Sequence, residues 1–133
     1  MTCAVCLRAL TVARKTNEDL FNKTGEILCA LKNISRCEAL EEKYEFCGVF
    51  GYSGDEIRDI SNFPEKHLSK KHFVPEADIT DEVCALNELR AQIRRCECAA
   101  VAVYEKSEKE WAKSIACGLN RLSAAVYVLM LMA

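Results

Sequence analysis

Apolar residues recur every three or four positions along most of this chain, the spacing of one helix face rather than of a strand. Cys3, Cys6, Leu7, Leu10 and Ala13 form the first such stripe and predict a helix over 3–15. Thr16-Asn-Glu-Asp19 resembles a capping box that opens a second run. That run turns Leu20, Phe21, Ile27, Leu28, Leu31 and Ile34 inward, with Gly25 as a break in its middle. A third helix is expected from Glu38 to Phe46, ending before Gly48. Ser53-Gly-Asp-Glu56 is a stronger capping box, starting a helix with Ile57, Ile60 and Phe63 on one side. Pro64 suits the first position of a further helical stretch, through Leu68 to about His72.

Val74-Pro75 is the clearest interruption in the chain. After it, Asp78 or Thr80 is expected to cap a long helix whose inner face is Ile79, Val83, Leu86, Leu89 or Arg90, and Ile93. Beyond Cys96-Glu-Cys98, a charged helix is expected from Glu105, with Trp111, Ile115, Leu119, Leu122 and Val126 on one stripe. The uncharged tail from Leu122 to Ala133 is too short to span a bilayer. A membrane interface or the domain's own core could cover it, and core packing is the commoner use of such a stripe. The expected fold class is all-α with five or six helices.

Composition sharpens this picture in a few places. Only five Gly and two Pro among 133 residues favour helices over a turn-rich β fold. A net charge of −2 gives no general attraction to nucleic acid, so no nucleic-acid partner is expected. Arg8 interrupts the leading apolar stretch and no basic segment precedes it, which makes a poor signal peptide. The first 17 residues lack acids and carry Arg8, Arg14 and Lys15, faintly like a mitochondrial presequence. The favoured readings are that a signal once preceded Met1 or that the segment is simply the first helix.

The chemistry lies in nine cysteines, at 3, 6, 29, 37, 47, 84, 96, 98 and 117. One reading is a zinc site in which Cys3, Cys6, Cys96 and Cys98 supply four thiolates. Against it, Cys3 and Cys6 fall on an apolar helix face rather than in a knuckle turn. The other reading is a disulfide framework. A Cys-x2-Cys pair on one helix cannot easily bond to itself, and Cys84 and Cys96 lie about three turns apart on another helix.

The order of cysteines (Cys3-x2-Cys6, then Cys37, Cys47, Cys84 and Cys96) resembles the saposin-like fold. It resembles most the branch containing the N-terminal domain of mesencephalic astrocyte-derived and cerebral dopamine neurotrophic factors. Cys47-Gly-Val-Phe-Gly51, the acidic Asp55-Glu56 and the proline-broken approach to Cys84 add to the likeness, which covers residues 3–98. The resemblance implies pairing of Cys3 with Cys96, Cys6 with Cys84 and Cys37 with Cys47. It also implies a saposin-like domain over 1–98, a C-terminal helical extension over 99–133, and a secreted or endoplasmic-reticulum location. A bridge closing about 90 residues would contribute roughly 4 to 5 kcal/mol. Cys29, Cys98 and Cys117 are surplus, with Cys98–Cys117 a candidate fourth bridge. The sequons at Asn22 and Asn33 agree with a secretory route.

Enzyme chemistry is not expected: the only histidines, His67 and His72, belong to no recognisable catalytic constellation, and no cofactor is implied. The basic groups Lys66, His67, Lys70 and Lys71, and Arg90, Arg94 and Arg95, are the candidate surface for an anionic lipid, a membrane or a protein receptor. Their competing reading is an ordinary solvated helix face. The expected function is a non-enzymatic secretory protein of the neurotrophic-factor type. The rival is a cytosolic or organellar helical protein with reduced thiols, possible zinc ligands among them.

Overall fold

The computed structural model describes residues 7–12, 14, 17–73 and 79–133. Residues 7–12 are helical, and five longer elements follow: α1 (Glu18–Leu40), α2 (Gly54–Asn62), α3 (Pro64–Leu68), α4 (Asp81–Ser107) and α5 (Glu110–Met132). The all-α expectation holds among the described residues.

Asn17, rather than a Thr16 box, caps α1, its side chain accepting the Leu20 amide at 3.2 Å. Gly25 does not break the helix. Leu20, Thr24, Ile27, Leu31, Ile34 and Cys37 make one continuous buried stripe past it, and tertiary burial outweighs about 1 kcal/mol of glycine propensity. The expected helix from Glu38 to Phe46 is absent. α1 instead runs on to Leu40 and stops where Glu41 turns left-handed at φ 54°. Residues 42–53 then run in irregular chain through a tight turn. Val49 and Tyr52 exchange both main-chain hydrogen bonds, at 3.0 and 2.9 Å, around Phe50 and Gly51, both with positive φ.

The Ser53–Glu56 capping box forms as expected, with reciprocal bonds of 3.1 and 3.2 Å. Pro64 opens α3, which ends at Leu68 instead of His72 because Ser69 adopts the left-handed conformation. Thr80 caps α4 by accepting the Val83 amide at 3.3 Å. That helix continues unbroken through Cys96-Glu-Cys98 to Ser107 and reverses at Glu108 and Lys109 into α5.

α5 is the organising element, packing on each of the other four helices and most extensively on α4. Ile115, Leu119, Leu122, Val126 and Leu129 are buried in the same cluster as Ile27, Leu31, Ile57, Leu86, Leu89 and Ile93. By length and composition α5 could cross a membrane. Its apolar side chains are buried against the rest of the protein, as the core reading of this stripe expects. Near the chain start, Arg8 makes a two-pronged bond to Glu88 on α4, both contacts at 2.9 Å. Both side chains are largely exposed, so this pair locates the N-terminal turn more than it stabilises it.

The structure does not support a disulfide-stapled, saposin-like scaffold. Cys37 and Cys47 are unbonded: their sulfurs lie against the carbonyls of Lys43 (3.8 Å) and Glu45 (3.6 Å) respectively. Cys84 also carries a free thiol; Cys6 and Cys3, the expected partners of Cys84 and Cys96, lie outside the described residues. Cys29, Cys98 and Cys117 are free as well. The zinc set fails at its second pair. Cys96 and Cys98 are two residues apart on a continuous helix of 3.6 residues per turn, so their side chains diverge. No three His, Cys, Asp or Glu converge on a metal position among the described residues.

Candidate anion-binding cleft

Helical spacing builds a polar cleft out of α4 and α5. On α4, Arg90, Arg94 and Glu97 follow at intervals of four and three and share a face. On the antiparallel α5, Asn120, Ser123, Ala124 and Tyr127 do the same. Arg58, Ser61 and Asn62 from α2, with His72 and Phe73 from the segment after α3, complete a cleft of about 600 Å³. It differs from the smaller apolar groove, about 240 Å³, that Leu31, Ile34, Trp111 and Ile115 line on the other side of α5.

The two ends of the polar cleft are held differently. At one end the Asn120 side-chain amide donates to Glu97 Oε1 at 3.1 Å, and Arg121 reaches back to Asn120 Oδ1 at 3.4 Å. At the other end the Arg90 guanidinium lies 4.8 Å from the centre of the Tyr127 ring. The Tyr127 hydroxyl accepts the Phe73 amide at 2.9 Å and sits 3.0 Å from His72 Nδ1. A neutral imidazole would there accept the hydroxyl proton.

Charge is unbalanced in this cleft. Three guanidiniums line it against one carboxylate, Glu97, which Asn120 already engages. Among the described residues no ion pair neutralises Arg58, Arg90 or Arg94. Burial pulls the Arg90 pKa down and the neighbouring Arg94 adds to it, while Tyr127 works in the opposite sense. An anion would relieve this repulsion, and planar guanidiniums suit the oxygens of phosphate.

The expected basic surface therefore divides. Arg90 and Arg94 line the cleft; Arg95, next to them, is exposed and outside its lining. Lys66, Lys70 and Lys71 are exposed and also outside it, and His67 pairs with Asp59. Asn22 and Asn33 are exposed on α1. Sequence reasoning missed Glu97, Asn120, Tyr127 and Arg58. The available signal was the matched spacing of polar residues on two helices, with Asn120, Ser123 and Tyr127 set into an otherwise apolar run.

Comparison with known proteins gives this cleft a chemical context. The family model of cobalamin adenosyltransferase matches residues 5–133. The corrinoid adenosyltransferase EutT of Salmonella typhimurium is 34% identical over 108 residues, covering 80% of this chain and 40% of the relative. The protein of the same name from Escherichia coli K12 is 34% identical over 109 residues, covering 81% and 41%. The chain thus spans about two fifths of the length of these curated relatives. No solved structure matches it.

These matches overturn the saposin-like resemblance, which rested on choosing six cysteines out of nine. The non-enzymatic neurotrophic-factor reading falls with it, since the matched family is one of enzymes. Nor does the rival, a cytosolic or organellar helical protein with reduced thiols and possible zinc ligands among them, fit a family of corrinoid adenosyltransferases. Lipid and receptor partners lose their basis, and the bacterial relatives remove the secretory and endoplasmic-reticulum location. The matched span, residues 5–133, takes in nearly the whole chain and every helix described above: the chain belongs to the cobalamin adenosyltransferase family.

Proposed function

We propose that this chain supplies the nucleotide-binding part of a corrinoid adenosyltransferase. In this reading the arginine-lined cleft holds the polyphosphate of ATP. The observation that carries the reading is the gathering of Arg58, Arg90 and Arg94 around a single, already bonded carboxylate. Moving an adenosyl group onto a corrinoid requires a donor whose C5′ bears a leaving group, and in ATP that group is the triphosphate. The reduced cobalt of the corrinoid substrate attacks C5′ with its own electron pair. A cobalt–carbon bond forms, the C5′–oxygen bond breaks, and the triphosphate leaves with the bonding electrons. The chain's guanidiniums bind that triphosphate and stabilise the charge that grows on the departing oxygen. Glu97, oriented by Asn120, offers an acceptor to a ribose hydroxyl.

Calorimetric titration of the protein with ATP tests this. Arg94→Ala is expected to weaken binding about tenfold, as loss of one charge-assisted contact does. Asn120→Ala should cost several-fold, and added salt should weaken wild-type binding. If both variants stay folded and bind ATP as wild type does, the cleft is not the nucleotide site.

A further inference from the structure

Among the described residues, the Tyr127 side chain touches both a cation and the segment following α3. Its ring carries the Arg90 guanidinium, 4.8 Å from the centroid. Its hydroxyl takes the Phe73 amide and faces His72 Nδ1. The ring and His72 also stand close, with centroids 6.1 Å apart and planes tilted by 30°. Arg90 has no carboxylate partner among the described residues to fix it, and Arg94, one turn away on α4, repels it. An unpaired arginine with several rotatable bonds would ordinarily sample many rotamers, and each anion bound would bear the entropy of collecting it. A ring face beneath the guanidinium restrains its plane while leaving its N–H edge open to the cleft.

We propose that Tyr127 is a positioning residue for anion binding: its ring pre-orients Arg90, and its hydroxyl fixes the His72–Phe73 wall against that arginine. This rests on the anion-cleft reading above and adds a residue that need not touch the nucleotide. The two parts of the side chain have separable effects. Phenylalanine keeps the ring and drops the hydroxyl; leucine keeps apolar bulk and drops the ring. Tyr127→Phe should therefore weaken anion binding only slightly, by freeing the 72–73 segment. Tyr127→Leu should weaken it about 5- to 30-fold, the range of a partly desolvated cation–π contact.

The test is a double-mutant cycle between Tyr127→Leu and Arg90→Ala, read by calorimetry with inorganic tripolyphosphate and, separately, with ATP. Positioning predicts that, once Arg90 is gone, Tyr127→Leu costs no more than the slight loss that Tyr127→Phe causes. It also predicts that the ring-current shift of the Arg90 side-chain NMR signal survives in Tyr127→Phe and disappears in Tyr127→Leu. Losses that simply multiply in the cycle would overturn the proposal, as would an unchanged Arg90 signal in Tyr127→Leu. Tripolyphosphate binding that shows the coupling while ATP does not bind would sink the nucleotide reading and leave Tyr127 in this role. If wild type binds neither anion, both fall. Matching thermal unfolding midpoints across the variants exclude loss of fold as the cause.

Discussion

Replacing Gly118 by alanine should destabilise the protein, although alanine is the better helix former. Gly118 lies buried in α5, and a Cβ there would stand 2.5 Å from both Cδ2 and Cε2 of Tyr44. Ordinary carbon contacts are about 3.5–4.0 Å, so the ring must move by about 1 Å. It cannot move freely. The Tyr44 amide donates to Ser114 Oγ at 2.9 Å, and that hydroxyl donates to the Trp111 carbonyl at 2.7 Å, tying the residue to the same helix face. Overpacking of this kind costs about 1–3 kcal/mol, against a propensity gain of about 1 kcal/mol for Gly→Ala. The net expectation is a loss of about 1 kcal/mol, a fall in Tm of about 3–5 °C for a chain this size. Thermal and urea unfolding followed by far-ultraviolet circular dichroism measure it. The decisive comparison is the same substitution in a Tyr44→Ala background. With the ring removed, the clash vanishes and Gly118→Ala should stabilise by about 1 kcal/mol. A stabilised single variant, or a penalty that persists unchanged without Tyr44, would refute the reasoning.

Gly48→Ala should cost more, about 2–3 kcal/mol by urea titration, because φ is +94° and the new Cβ would meet the Tyr52 carbonyl oxygen at 2.3 Å. Main chain cannot step aside as a ring can, so a loss smaller than that of Gly118→Ala would count against the argument. Burial, with smaller contributions from Cys47, Cys37 and Cys29, pushes the Tyr44 pKa from 10.0 up to about 12. The unfolded chain therefore releases this proton first. Stability is retained below about pH 10 and lost as pH climbs toward about 12. Tyr44→Phe should lose stability less steeply over that interval, and parallel declines in the two proteins would contradict it.

Helix content was legible because burial and periodicity agree: the Ile57/Ile60 face, the Ser53 capping box and the α5 stripe all appear where the pattern puts them. What the pattern could not supply was where helices stop. Gly25 looked like a terminator and is not, whereas Glu41 and Ser69, neither a glycine, take left-handed conformations that end α1 and α3. Local residue type is a weak guide when tertiary contacts decide the last turn. The site was harder still. Arg90 and Arg94 were singled out as cations, but the same residues serve a lipid surface, a solvated face or a phosphate cleft. Only the opposing wall of Asn120 and Tyr127 distinguishes these. The cysteines misled because spacing says nothing about oxidation; free thiols with sulfurs against carbonyls look identical in sequence to bridges.

The two-residue reversal at Glu108 and Lys109 has a bearing on how the cleft is put together. Arg90, Arg94 and Glu97 lie on one arm of that hairpin, and Asn120 and Tyr127 on the other. Bringing the arms together therefore closes only a very short loop, with correspondingly little chain entropy surrendered. Arg58 and His72 come from segments outside that hairpin, so the cleft joins a wall built by one reversal to a second wall contributed by earlier parts of the chain.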